Sequence, residues 1–358
     1  MATIKDVAEL AGLSVTMVSR YLNNLKGVSK ESQEKITAAI RELNYRPNGI
    51  ARSLVLQKTH TIGIVVDDLC SPFIFELIEG LESGAEDFDR EEKYNVIFCN
   101  SNGDVQRKQR HIRFLTQGRV DGIVIYGSLI QDDSIVSQLA ATNFPFILIE
   151  NDIGGIDVNK VLIDNTNGAY TATEHLIKLG HRCIAHIGGD LNLKITLDRM
   201  NGFVRALQDN NIPIDRSLII FPDFSQQKSK GYTDKYGNQS MFFESGYYEM
   251  KKLLTKGNHP DAVFFATDLS AFGAIKAINE AGLRVPEDIS IVGFDDEDPA
   301  FCGYHCPLIS TVRQPLREAG YLGIKRLIGS ILSPEAKKES LLLKTELILR
   351  SSTKPKQQ

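Results

Sequence analysis

Two groups of side chains in this sequence have types and spacings that could do chemistry. Between Ser14 and Asn23, the residues Val15, Thr16, Met17, Ser19, Arg20 and Asn23 point outward from a helical repeat whose inner side is Val18 and Leu22, four residues apart. Polar and mid-sized side chains on one helix face can reach base edges and phosphates when that helix lies in a major groove. The second group follows apolar, β-rich runs: Asp67 and Asp68, Glu150 with Asn151 and Asp152, Asp164 with Asn165, Asp268, and Asp295 with Asp296. In open α/β sheets, ligands bind beyond the carboxyl ends of strands. Carboxylates accept hydrogen bonds from hydroxyls, arginine donates to oxygens, and an aromatic face covers the apolar side of a ring. The set suits a polyhydroxylated ligand better than a fatty one.

Other chemistries are missing. The turn after the first strand-like run reads Asp67-Asp68-Leu69-Cys70-Ser71-Pro72 and has no glycine, so the dinucleotide fingerprint is absent. There is no phosphate-binding Walker loop, no G-x-S-x-G elbow and no H-E-x-x-H pair. An enzyme is not expected, nor a cofactor. Cys302, His305 and Cys306 are metal-ligand types, but they lack a fourth ligand and paired cysteine spacing. They read as loop residues, and no metal is expected.

The first group must be held by short helices. Thr3 can cap one helix, with Asp6 completing a capping box, and Val7, Leu10 and Ala11 form its apolar stripe. Gly12 supplies a left-handed turn and Ser14 caps the next helix. A third follows Ser29, with Ile36, Ile40 and Leu43 at helical spacing. None is long enough to be stable alone in water. The pattern is that of a helix-turn-helix, whose second helix enters DNA; the plain alternative is a helical bundle. Charge favours the former. Residues 1–60 carry nine Lys and Arg against five Asp and Glu, a surplus of +4 in a chain of net charge −4, which leaves −8 elsewhere. A basic head on an acidic body suits a phosphate backbone.

At 358 residues, two or three domains are expected. After a short polar link at 58–60, strand-like runs at 61–66, 95–99, 122–126, 145–149, 160–163, 183–187, 218–221, 262–266 and 289–294 alternate with helical patterns. The helical patterns fall at 74–88, 106–117, 169–179, 200–208, 246–254 and 272–280. Such alternation predicts parallel sheets with helices on both faces, in two units. No run approaches a membrane helix and no apolar stretch follows a basic start, so neither a membrane nor export is expected. Five scattered cysteines suit a reducing compartment, and a cytoplasmic protein is expected.

The run Tyr45-Arg46-Pro47-Asn48-Gly49-Ile50-Ala51-Arg52-Ser53-Leu54, together with Thr3 to Asn23, resembles the LacI/GalR family of bacterial transcription regulators. Arg119 to Ile125, Ala169 to Gly189, Arg199-Met200-Asn201-Gly202-Phe203, Pro260 to Asp268, Val285 to Asp296 and Thr311 to Pro315 extend the resemblance over nearly the whole chain. It implies an α/β protein with an all-α helix-turn-helix headpiece at 1–47 and a hinge helix and linker at 48–60. A two-lobe periplasmic-binding-protein-like core of parallel sheets with flanking helices follows at 61–350. Lobe one would hold about 61–162 and 292–320, lobe two about 163–291 and 321–350, with a polar tail at 351–358.

The resemblance also implies roles. To the outward face of the second helix it adds Thr3, Ser14, Ser29, Tyr45, Asn48, Ala51 and Leu54 as DNA-binding residues. Leu54 would wedge into the minor groove, where an apolar side chain kinks the duplex; packing on the third helix is its alternative. Gly49 should weaken the short hinge helix by about 1 kcal/mol relative to Ala, leaving it dependent on DNA and a partner subunit. Arg199, Phe224 and Asp268 would contact an effector, with Phe73, Asp164 and Asp295 as further candidates. From the residues alone, Arg199 could pair with Asp198 or Glu244, and Asp268 could cap a helix. Asp295 and Asp296 could be loop residues, and Phe73 could be core.

The implied function is a repressor of carbohydrate-use genes, a homodimer on near-palindromic double-stranded operator DNA, controlled by a sugar or sugar derivative between the lobes. Coupling of about 1–3 kcal/mol would change occupancy roughly 5–150-fold. A regulator activated by a co-repressor or partner protein would use the same scaffold; a soluble sugar-binding protein would share the core but not the head. No leucine heptad follows 341–349, which argues for a dimer over a coiled-coil tetramer. One departure from the family pattern stands out. Glu244-Ser245-Gly246-Tyr247, expected soon after Phe224, comes only after the polar segment 225–243, read either as a loop at the cleft mouth or as a solvated insertion.

Overall fold

A computed structural model describes residues 2–23, 25–46, 58–69, 74–88, 93–127, 129–224, 239–255, 259–297 and 308–356. The chain divides into a head, Met1–Thr59, and a body, His60–Gln358. The expected hinge residues Asn48, Ala51 and Leu54 lie outside the described residues, as do Phe73, Cys302, His305, Cys306 and the segment 225–238.

The head contains α1 (Ile4–Ala11), α2 (Val15–Leu22) and α3 (Lys30–Glu42). Thr3 and Asp6 form the complete capping box, and Gly12, at φ 65°, ends α1. Ser14 Oγ accepts the Met17 N–H at 3.2 Å, and Ser29 Oγ accepts the Ser32 N–H at 3.3 Å. The core is Val7, Ala8, Ala11, Val18, Ile36 and Ala39. This corrects the expected stripe: Leu10 is 46% exposed, and Ala8 faces inward in its place. Alanines on α1 and α3 let these helices approach closely, so Ile40 and Leu43 only flank the core.

In lobe one of the body, β1 (Thr61–Val66), β2 (Asn95–Asn100), β3 (Gly122–Tyr126), β4 (Phe146–Ile149) and β5 (Asn159–Ile163) are joined by the late strand β11 (Ser340–Leu343). They form one parallel sheet in the order β11-β5-β4-β3-β1-β2. The strands read as apolar runs because both faces are covered. Ile62, Ile64 and Val66 pack with α4 (Ile74–Glu86) and α11 (Leu316–Leu332). Val65 turns the other way, toward α5 (Val105–Thr116) and α6 (Asp133–Ala140). Helices α4 and α11 meet on glycine. A Cβ on Gly80 would lie 2.0 Å from the Arg317 carbonyl oxygen, and one on Gly320 2.4 Å from that of Leu77.

Lobe two has a parallel sheet in the order β7-β6-β8-β9, from β6 (Ile184–Ile187), β7 (Ile219–Ile220), β8 (Ala262–Phe265) and β9 (Ser290–Val292). One face packs on α9 (Gln239–Thr255) and α10 (Asp268–Glu280), the other on α7 (Asn165–Lys178) and α8 (Lys194–Asp209). A short antiparallel pair, β10 (Thr311–Arg313) and β12 (Glu346–Ile348), completes it, with Ser310 bridged to Val292.

Several boundaries differ from expectation. The apolar side of α11 is buried against α4, and β11 pairs with β5, so residues 316–343 belong to lobe one. Of the described residues, 292–297 and 308–313 belong to lobe two, the reverse of the expected exchange. The chain therefore crosses between lobes at 163–165, 313–316 and 343–346. The polar tail is not free: the Ile291 N–H donates to the Ser352 carbonyl at 2.8 Å, and the Lys356 N–H to the Leu179 carbonyl at 2.8 Å. His60 belongs to the body rather than the link, its N–H donating to Asp121 Oδ2 at 2.8 Å. Among the described residues, no helix is long and apolar enough to cross a membrane.

Because the α4–α11 contact leaves no room for a methyl group, Gly80→Ala should lower stability by about 1–3 kcal/mol. Urea unfolding measures this, and an unchanged midpoint would show slack in the pair.

Candidate functional site

Both sheets reverse strand order beside their first strand, between β1 and β3 in lobe one and between β6 and β8 in lobe two. Ligands in open α/β sheets bind at such switch points. Here the ends of these strands line a single cavity of about 200 Å³. Asp67, Tyr126 and Glu150 reach it from lobe one; Asp190, Ala266 and Thr267 reach it from lobe two.

Arg199, on α8, is 3% exposed and lines the cavity. Its Nε–H donates to Asn165 Oδ1 at 2.8 Å and its Nη1 to the Ala266 carbonyl at 2.5 Å. Nη1 also lies 3.3 Å from Asp295 Oδ1, and the guanidinium carbon sits 3.7 Å from the centre of the Phe294 ring. No surface pairing with Asp198 or Glu244 takes its place. The rest of the Arg-x-x-Gly-Phe run supports this seat. A Cβ on Gly202 would lie 2.1 Å from the Thr166 carbonyl oxygen, so α7 and α8 touch backbone to backbone. Phe203 stacks on the His186 ring at 5.2 Å between centroids.

The carboxylates divide into two kinds. Asp295 lines the cavity, accepts from Gln314 Nε2 at 2.7 Å and has φ 108°. Burial pushes its carboxyl up to about 6 against the opposing pull of Arg199. Glu150 accepts from the Tyr126 hydroxyl at 3.3 Å and from Asn165 Nδ2 at 3.1 Å, and burial holds it above the usual carboxylate range. Asp268 and Asp164 are different, and correct the expected set. Neither lines the cavity. Asp268 accepts the Thr311 hydroxyl at 2.8 Å and the Glu297 N–H at 2.9 Å. Thr267, not Asp268, caps α10. Asp164 caps α7, accepting the Asn167 N–H at 3.0 Å, and its own N–H ties two lobe crossings together at the Leu343 carbonyl, 2.9 Å away. Asp268 thus fixes the backbone of Glu297, and Asp164 a lobe crossing.

Phe224 does line the cavity, with its ring 5.3 Å from that of Phe242. Helix α9 begins at Gln239, so 239–243 are helical rather than loop, and Met241 and Phe242 form cavity wall. Sequence reasoning passed over Tyr126, Glu297, Gln314 and Lys194, and left Glu150 among the strand-end groups without a role. The signal for Glu150 and Tyr126 was their place at strand ends; for Gln314 it was the Arg-Gln-Pro run.

On one rim the lobes touch directly. Leu129 bridges to Leu193, and the Ile130 N–H donates to the Asn192 carbonyl at 2.9 Å. Lys194 Nζ then donates to Asp133 Oδ1 at 2.7 Å, Asn151 Oδ1 at 2.9 Å and the Asp152 carbonyl at 2.8 Å.

On the head, Val15, Thr16 and Arg20 of α2 are exposed, and Met17 and Ser19 are half-buried. Arg20 is engaged already, Nη2 donating to the Lys26 carbonyl at 2.5 Å. Asn23 ends α2 and donates to the Ser19 carbonyl at 2.9 Å. Thr3, Ser14 and Ser29 sit exposed at helix N-termini, where N–H groups favour anions. Tyr45 packs beside the head's core.

Fold and site together define a helix-turn-helix head followed in the chain by a ligand-binding core of two lobes. Residues 3–48 match the bacterial regulatory proteins of the lacI family. Residues 59–228 match the periplasmic binding proteins and sugar binding domain of the LacI family, and 173–353 match a periplasmic binding protein-like domain. The chain is 33% identical over 353 residues to the ribose operon repressor of Haemophilus influenzae, covering 98% of each. A solved lac repressor dimer bound to operator and an anti-inducer superposes with TM-score 0.82 at 29% identity, covering 99% of both chains. A complex of the transcriptional regulator CelR with cellobiose superposes with TM-score 0.69 at 27% identity, covering 98% of this chain and 100% of that one. The chain belongs to the LacI family of transcriptional regulators, and its relatives are repressors, not enzymes.

Asp295 binds its proton more tightly folded than unfolded, so it stabilises the body below the ordinary aspartate value of 3.8, and this contribution is lost as pH rises toward about 6. Relative to Asp295→Asn, the wild type should lose on the order of 2 kcal/mol between about pH 4 and 7. Urea unfolding of both across that range checks this; a slope of the opposite sign would mean that Arg199 outweighs burial.

Proposed function

We propose that this protein represses carbohydrate-use genes, binding a near-palindromic operator as a homodimer and releasing it when a sugar-like effector fills the cavity. The observation that carries the effector half is Arg199 with Asp295, buried where the switch points of two parallel sheets share one cavity. The names of similar proteins support the same reading: one represses a ribose operon, one was solved with cellobiose, and one as a dimer on its operator. A cytoplasmic location goes with it.

For the DNA half, Val15, Thr16 and Met17 read base edges, and Thr3, Ser14 and Ser29 hold phosphates through the ends of their helices. Asn48, Ala51 and Leu54 form the minor-groove element, with Leu54 as the wedge. Phe224 and Phe242 cover the apolar side of the effector.

Operator affinity of the full chain, measured with and without sugars that stabilise it, tests the reading. Release is expected; tighter binding would make the ligand a co-repressor. Thr16→Ala should change which base is preferred at one operator position, by about 1–3 kcal/mol of discrimination. A uniform loss of affinity across operator variants would remove Thr16 from base readout. Leu54→Ala should weaken operator binding roughly tenfold, about 1.4 kcal/mol, with sugar affinity unchanged. Wild-type operator affinity in that variant would exclude the wedge.

A further inference from the structure

Among the described residues, the hydrogen-bonding groups left over in the cavity are of one kind. Glu297 follows β9 by a short loop and is 7% exposed, yet neither of its carboxyl oxygens has a hydrogen-bond partner among the described residues. Its backbone is fixed, because its N–H donates to Asp268 Oδ2 at 2.9 Å. Asp67, at the end of β1, has Oδ1 occupied by Lys108 at 2.6 Å and by the Ser101 hydroxyl at 3.0 Å, while its buried Oδ2 is unpartnered. Gln314 spends its N–H on Asp295 and leaves Oε1 buried and unpartnered. All three residues line the cavity.

Buried polar atoms in native proteins are almost always satisfied, so a group of unsatisfied ones around a cavity describes what is to fill it. These are acceptor atoms. A ligand that matches them must bring donors, as hydroxyl groups do. A phosphate or carboxylate brings only acceptors. It would also meet the acidic side chains Asp67, Glu150, Asp295 and Glu297; among the described lining residues Arg199 is the cation, and it already faces Asp295, as the buried Lys108 already faces Asp67. Burial, then Asp295 and Asp268, hold the Glu297 carboxyl well above its usual range. In either protonation state the carboxyl keeps an acceptor oxygen, which suits a ring hydroxyl.

We propose that Glu297 is a specificity-determining residue that, with Asp67 and Gln314, makes the cavity select an unphosphorylated, hydroxyl-rich ligand and reject its phosphate ester. This rests on reading the cavity as the effector site. It adds a charge rule for the ligand and assigns that rule to a residue. Glu297 is kept at a cost in stability, as binding residues often are, because burying an unsatisfied acid disfavours folding.

The test uses the full chain and paired probes: ribose and ribose 5-phosphate, glucose and glucose 6-phosphate, fructose and fructose 6-phosphate, each by thermal shift and calorimetry. A free sugar is expected to bind at least about thirtyfold more tightly than its phosphate, roughly the gap that one buried unpaired charge produces. Glu297→Leu should lower affinity for that sugar about tenfold or more, while Glu297→Gln, which keeps an acceptor and a donor, loses much less. The unliganded Glu297→Leu protein should melt no lower than wild type, which separates lost recognition from lost folding. The proposal is overturned if a phosphate ester binds as tightly as its free sugar, or if Glu297→Leu binds the sugar within twofold of wild type. A free sugar that binds by these rules yet leaves operator affinity unchanged would overturn the effector reading and leave the charge rule standing. A panel in which no member binds overturns both.

Discussion

The guanidinium of Arg199, over the ring of Phe294 and bonded to Asn165, Ala266 and Asp295, is the interaction on which the rest of the body depends. A buried charge without partners costs several kcal/mol, so the surrounding chain is arranged to supply them. Asp295 must face it, and Gln314 must hold Asp295. Asp295 and Asp296 both take positive φ, which turns the chain sharply after β9. Asp296 is anchored from the far side by Arg313 at 2.6 Å and Arg350 at 2.5 Å. Asn165 passes the network to Glu150 and thus into lobe one. One arginine therefore ties together the start of α7, the end of β8, the turn after β9 and a lobe crossing.

Local features were legible in the sequence because their causes are local. The caps at Thr3, Ser14 and Ser29, the turn at Gly12 and the apolar strands are set by neighbouring residues. Helix α11 was not recognised. It contains Gly320, Gly323 and Gly329, which read as helix breakers. Two of them are there for packing: a Cβ on Gly323 would lie 2.7 Å from Ile149 Cδ1, and Gly320 sits against α4. The pairing of β11 with β5 joins residues far apart in the chain, and periodicity says nothing about such pairings. Missing both reversed the lobe membership of the last segments.

The site was legible in outline and not in detail, for a related reason. A carboxylate at a strand end is visible in sequence, but the direction of its side chain is not. Asp295 faces the cavity and Asp268 turns away to Thr311, although each follows a strand in the same sheet. Glu297 looks like any loop acid until its burial is known. On the head, Arg20 belongs to the outward face of α2, yet its guanidinium is bonded across the turn to the Lys26 carbonyl.

The two lobes are joined in unlike ways. Covalent chain connects them at three crossings, whereas at the Leu129–Leu193 rim the joint consists of hydrogen bonds, three of them from Lys194. Only the second kind can come apart without breaking the chain, so Lys194 sets how firmly this rim is held. The hold of one lobe on the other is thus adjustable at a residue that does not line the cavity.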